Sequence, residues 1–177
     1  MSLNAGIVIS SKSLFRMSAD TVDQVTSCLK DKHIRQAVLA IRAGDHTVES
    51  VSHWLDGLKK VNCEYVLMLS EPAADKSDTV WGKEFYQLEQ KLHNQSDIHF
   101  TILRSMFFVD NLIFYEHELK RNKRLALPLG KKGYFAPIHA ADVARAVAMI
   151  LSDCQKHHGK TYELTGPKTK VRAWLDL

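Results

Sequence analysis

Three places in this sequence hold side chains that could act on a bound small molecule: Ser70, Lys83, and residues 104–111, Arg-Ser-Met-Phe-Phe-Val-Asp-Asn. Ser70 closes the apolar run Tyr-Val-Leu-Met-Leu at 65–69, and Arg104 closes Phe-Thr-Ile-Leu at 100–103. In each, a polar group appears where a strand buried on both faces would stop. In a parallel sheet these two strand ends open on one edge, and the crevice beyond that edge is where open α/β sheets hold ligands. Phe107 and Phe108 beside Asp110 and Asn111 place apolar walls next to polar groups, the composition of a small-molecule pocket. Lys83, near the start of the helix that follows Ser70, can reach the same edge.

Several other chemistries are excluded. A phenol activated by a lysine one helical turn away needs Tyr-x-x-x-Lys, but the residues four along from Tyr65, Tyr86, Tyr115, Tyr134 and Tyr162 are Leu69, Gln90, Leu119, Ile138 and Gly166. The glycines stand at 6, 44, 57, 82, 130, 133, 159 and 166, so no Gly-x-Gly-x-x-Gly turn exists to let a backbone approach a pyrophosphate. Cys28, Cys63 and Cys154 are three in number and widely spaced, which fits neither a disulfide framework nor a zinc site, and all three are expected to be reduced and mostly buried. Nine His, including the adjacent His157 and His158, lack carboxylate or Cys neighbours at metal-ligand spacing and read as surface residues, so no metal is expected. A serine nucleophile elbow is also missing.

The elements that must position these groups follow from periodicity. Short apolar runs at 6–9, 37–41, 65–69, 100–103, 134–138 and 160–165 read as strands. Between them, 21–30, 79–93, 109–121 and 140–151 read as helices, with a further one after Thr47 in which Val48, Val51, Trp54, Leu55 and Leu58 recur at helical spacing; Ser18 or Asp20 can cap the first and Thr47 this second one. Trp81, Phe85, Leu88 and Leu92 form the stripe of the third helix, while 10–17 is polar and poorly patterned. Strands alternating with helices at this rhythm imply βα units and a parallel sheet in one domain over 1–177.

At 177 residues, 45% apolar and 25% charged, the chain can bury one real core. No run approaches the ~20 apolar residues of a membrane span, and the first residues lack a signal-peptide pattern, so a cytoplasmic location and no membrane partner are expected. The net charge of +4 is concentrated in Lys120, Arg121, Lys123, Arg124, Lys131 and Lys132. Aromatic residues for base stacking are not interleaved with them, which disfavours nucleic acid and favours a solvated helix end.

Residues 100–112 resemble the Thr-Ile-Leu-Arg-Pro-Gly-Phe-Phe-Met-Glu-Asn-Leu signature of NmrA-like proteins, the atypical short-chain dehydrogenase/reductases. Residues 134–151, with Ile138 and Asp142-Val143-Ala144, resemble that family's later strand and Asp-Val-Ala helix. Gly159-Lys-Thr-Tyr-Glu-Leu-Thr-Gly-Pro167 resembles its closing strand, and Glu64 to Ser70 a strand ending in Leu-Ser.

The resemblance implies a Rossmann-like, mostly parallel sheet with helices on both faces that binds NADP or NAD, and NAD(P)H-dependent reduction of a small organic substrate. It places Ser70, Arg104, Ser105, Met106, Phe107, Phe108 and Asn111 at the cofactor. It also makes Lys83 the catalytic candidate, at a position where several members carry a lysine near the nicotinamide.

There are two departures. Arg-Pro-Gly is here Arg104-Ser105-Met106, and the match, over about 20–167, lacks the first βαβ unit with its glycine turn. The expected fold is therefore truncated at its N-terminal side, with weak or absent cofactor binding. The alternative function is a non-catalytic nucleotide-sensing or regulatory domain, and a homodimer that covers an unpaired sheet edge is a further expectation.

Overall fold

The computed structural model describes residues 5–10, 13–18, 21–30, 33–40, 47–122 and 134–170. Its centre is a four-stranded parallel sheet in the order β3-β4-β5-β7, formed by β3 (Gln36–Leu39), β4 (Tyr65–Ser70), β5 (His99–Ser105) and β7 (Lys160–Leu164). Register sets Tyr65 beside His99 and Ser70 beside Arg104, and it continues from Arg104 to Glu163. The strand ends named above therefore stand side by side.

Alternation along the strands sends side chains to two faces. One face carries Ala37, Leu39, Val66, Met68, Phe100 and Ile102. It is covered by α1 (Val22–Leu29), α2 (Thr47–Lys60) and α3 (Val80–His93) through Val25, Leu29, Val51, Trp54, Leu55, Leu58, Phe85, Leu88 and Leu92. The other carries Val38, Tyr65, Leu67 and Leu103 beneath Val143, Val147 and Ile150 of α5 (Ala140–Ser152). Each fully buried large side chain contributes about 1.5–3 kcal/mol. α1 and α2 approach so closely that a Cβ on Gly57 would lie 2.4 Å from Val25 Cγ1. Thr21 caps α1 and Thr79 caps α3, each accepting a backbone N–H three residues on.

Four expectations change. Residues 13–18, read as unpatterned, form β2 (Ser13–Ser18), an antiparallel partner of β1 (Ala5–Ser10). β1 lies alongside β3 without joining its ladder. The single helix expected over 109–121 is instead a 3-10 turn over Val109–Tyr115 followed by α4 (Glu116–Asn122). Its first turn is held tight because the Val109 N–H donates to the Ile138 carbonyl and the Asn111 N–H to that of Phe108. Ile113, Phe114 and Tyr115 are also poor helix formers. The strand expected at 134–138 shrinks to β6 (Tyr134–Phe135), paired with β8 (Thr169–Lys170), while α6 (Cys154–His157) follows α5. Among the cysteines, Cys63 is buried, Cys154 half-buried and Cys28 exposed, so the expectation of three mostly buried thiols fails for Cys28. Of the basic cluster, Lys123 to Lys132 lie outside the described residues. No described helix is long and apolar enough to cross a membrane.

Candidate functional site

At the carboxyl edge of the sheet, Ser70, Arg104 and Glu163 follow one another across β4, β5 and β7 on the face that α3 covers. Glu89 of α3 rises from that face, 1% exposed. Arg104 holds it with two parallel bonds, Nε to Oε1 at 3.0 Å and Nη2 to Oε2 at 2.7 Å, and Ser70 Oγ donates to the same Oε1 at 2.6 Å. Arg104 Nη1 meets Asp75 at 2.6 Å, in the turn after β4, and Glu163 at 3.6 Å. The bidentate bond to Glu89, with the nearby carboxylates, raises the guanidinium pKa further against the opposing effect of burial. A buried charge pair of this kind fixes geometry more than it adds stability. Here it pins α3 and the turn at 74–76 to the sheet. Ser70 and Arg104 are thus brought together, but both side chains bond within the protein.

The segment after β5 runs along the rim. Ser105 is buried and in register with Leu164, and the Met106 N–H donates to the Leu164 carbonyl. The Phe107 ring packs on Phe135 at 5.6 Å, and its carbonyl accepts the Ile138 N–H. Phe108 bridges to Ile138 and packs on the second core beside α5. Met106, Phe107, Phe108 and Asn111 are half-buried, so this wall remains open on one side. Lys83, in the first turn of α3, is exposed.

On this rim Asp110, already among the polar groups of segment 104–111, meets His139, which sequence reasoning did not single out. Asp110 Oδ2 accepts the Ala140 N–H at 2.7 Å, and its Oδ1 lies 3.4 Å from His139 Nε2. His139 caps α5 by accepting the Ala141 N–H on Nδ1 at 3.2 Å. The Ala140 N–H, then the backbone N–H of Asp110 itself and last His139, hold the Asp110 carboxyl below its ordinary range against the opposing effect of burial. His139 and Asp142 line a cavity of about 240 Å³ whose apolar walls are Val109, Pro137, Ile138 and Pro167. Nothing in the local sequence marks His139, because His is an unusual helix cap. Glu89 was not singled out from the sequence either; in the structure it sits four residues after Phe85 on the buried side of α3.

The opposite, amino edge holds a larger cavity of about 440 Å³, walled by Arg35, Gln36, Glu64, Tyr65, Cys154 and Gln155. Several of its polar groups are engaged within the protein. Arg35 and Glu64 are joined by two bonds of 2.9 and 2.8 Å, Gln36 donates to the Leu151 carbonyl, and Tyr65 Oη meets Thr101 Oγ1 at 2.5 Å. Among the described residues, no cluster of three or more His, Cys, Asp or Glu could hold a metal.

A dinucleotide needs a helix N-terminus after the first strand to hold its pyrophosphate. Here two residues separate β1 from β2, and Ser10 pairs directly with Ser13, so a hairpin stands where that helix would begin. Among the described residues no helix N-terminus follows β1 to serve as a pyrophosphate cradle.

Solved structures share this fold. A quinone oxidoreductase of Escherichia coli in complex with NADPH is 21% identical and superposes with a TM-score of 0.74 over 88% of this chain and 54% of its own. A nucleoside-diphosphate-sugar epimerase of Staphylococcus aureus is 19% identical, with a TM-score of 0.72 over 89% of this chain and 57% of its own. The triphenylmethane reductase of a Citrobacter species, in complex with NADP(H), is 14% identical, with a TM-score of 0.70 over 87% and 54%. No family model and no curated protein matches the sequence. The fold is that of NAD(P)-binding, Rossmann-like reductases and epimerases, and the chain spans just over half the length of these structures.

Proposed function

We propose that the chain is an NmrA-like atypical short-chain dehydrogenase/reductase whose carboxyl rim meets NADP or NAD and takes part in NAD(P)H-dependent reduction of a small organic substrate. The observation that carries this reading is the position of residues 105–111. The strand-to-loop segment resembling the family signature lies on the ligand edge of a parallel sheet, with Phe107 and Phe108 stitched to Ile138 and open on one side. Under this reading Ser105, Met106, Phe107, Phe108 and Asn111 face the nicotinamide end, where the bound cofactor supplies the hydride. Ser70 and Arg104 act behind them as positioning residues, and Lys83 orients substrate from α3.

The hairpin formed by β1 and β2 favours a second reading, a non-catalytic nucleotide-sensing module, because no pyrophosphate cradle is present among the described residues. One experiment separates the two. NADPH is titrated by fluorescence and its oxidation followed with a small quinone. The reductase reading expects weak binding, measurable turnover, and a Lys83→Ala variant that loses turnover while keeping the binding. Binding without oxidation in the unmutated protein selects the sensing module, and absence of binding removes both.

A further inference from the structure

We propose that β7 is the docking edge for a second copy of this chain, whose own β7 pairs with it antiparallel about a two-fold axis at Tyr162. β7 ends the sheet, and among the described residues β5 is the one strand hydrogen-bonded to it. The Leu164 carbonyl accepts the Met106 N–H at 3.0 Å, so the backbone groups of Leu164, and of Tyr162 two residues before it, point toward β5. Those of Thr161 and Glu163 therefore point outward, where no described group bonds to them. The helices of both layers also stop short of this strand. Lys160, Thr161 and Glu163 are exposed, and Tyr162 and Leu164 are only half-buried at the margin of the core beneath α5. A row of unpaired N–H and C=O groups is a template for another strand.

Register makes β7 complementary to itself. In an antiparallel pair, outward residues must face outward residues, and setting Thr161 opposite the partner's Glu163 does this on both sides of the axis. Each copy then gives the N–H and C=O groups of Thr161 and Glu163, and every one finds a partner. Charges agree with this register. Glu163 leans back to its own Arg104 at 3.6 Å and faces the partner's Thr161, while Lys160 faces the partner's Leu164, so no like charges stand directly opposite. Tyr162 falls opposite itself. Its Oη, 2.9 Å from His157 Nδ1, draws the ring toward the amino edge, so the two rings lean opposite ways and lie flank to flank. The far edge of the sheet, at β3, has the hairpin of β1 and β2 alongside it. One edge per chain is thus open among the described residues, and pairing closes at two copies rather than propagating.

The test is made on the full chain in a dilution series, with mass read by light scattering and amide hydrogen exchange read residue by residue. A mass of twice 20.1 kDa is expected. The Thr161 and Glu163 amides should be slow in that dimer and several-fold faster in any fraction that dilution returns to single chains, while Tyr162 and Leu164, which face β5, stay slow in both. Register is checked in a Cys28→Ser background, which removes the exposed thiol. Residues opposite each other at a non-hydrogen-bonded position have Cα atoms ~4.5 Å apart, within disulfide reach. Tyr162→Cys should therefore link two copies under mild oxidation, and Thr161→Cys should not. A single chain at every concentration would overturn the inference. So would a dimer whose Thr161 and Glu163 amides exchange fast, single chains in which they are as slow as in the dimer, or equal linkage in the two cysteine variants.

Discussion

The two edges of the same four strands are built on different chemistry. At the carboxyl edge a guanidinium and three carboxylates, Arg104 with Glu89, Asp75 and Glu163, hold the loops in place. The amino edge carries one exposed ion pair, Arg35 with Glu64, and beneath it hydroxyl, imidazole and backbone groups: Tyr65 to Thr101, Thr101 to the His157 carbonyl at 2.5 Å, His157 to Tyr162 at 2.9 Å, and the Phe100 N–H to His158 Nδ1 at 3.2 Å. The amino edge also has the larger cavity. Arg35 and Glu64 there close on each other, whereas the carboxyl rim keeps the open wall at 105–111. Cavity size favours the amino edge; the open wall favours the carboxyl rim, the edge on which the proposed function rests.

The contrast can be broken most directly at Arg104. Arg104→Met leaves Glu89 as a buried carboxylate without its partner, and unfolding in urea is expected to show a loss of about 3–5 kcal/mol. Adding Glu89→Leu should restore most of it, since an apolar pair of similar volume can replace a buried ion pair. A double variant as unstable as the single one would mean that Asp75 and Glu163, not Glu89, set the cost. Next in size is Gly166→Ala. A Cβ there would lie 1.8 Å from the Pro137 carbonyl oxygen, so the rim must shift at a cost of about 1–3 kcal/mol. Resonances at Val109 and Ile138 should move with it.

At the amino edge, Tyr65→Phe removes one hydroxyl from a neutral chain, and thermal unfolding should report only about 1 kcal/mol. A loss as large as that at Arg104 would erase the distinction between the edges. The smallest effect concerns pH. The Asp110 carboxyl is held below its ordinary range, chiefly by the Ala140 N–H, so its contribution is present above the ordinary value near ~4 and lost as pH falls through the folded value. The stability difference between the unmutated protein and Asp110→Asn should therefore close on acidification, while the Tyr65→Phe difference stays level over that range.

The sheet was legible because runs such as 65–69 and 100–103 are apolar or β-branched and short, a pattern that suits strands buried on both faces. Helices α1, α2, α3 and α5 showed through their apolar stripes, although Trp81, expected on the stripe of α3, is 61% exposed because the buried side of that helix runs through Gly82, Phe85, Leu88, Glu89 and Leu92. The hairpin was not legible, since Ser-Leu-Phe-Arg-Met-Ser does not alternate cleanly. Nor was the 3-10 turn, which is set by backbone bonds to Ile138, distant in sequence. For the site, adjacency of Ser70 and Arg104 followed from a parallel sheet. Their inward bonding did not, because it depends on Glu89 arriving from α3 and Asp75 from the turn. The meeting of Asp110 with His139 likewise needed the fold, since 29 positions separate them.

The most direct test of the rim as the ligand site is a map of amide shifts in the full chain on addition of NADPH. The account predicts movement at Ser105, Met106, Phe107, Phe108 and Asn111, with Gln36 and Gln155 unchanged. Shifts confined to Gln36, Tyr65 and Gln155, at the amino edge, would contradict it.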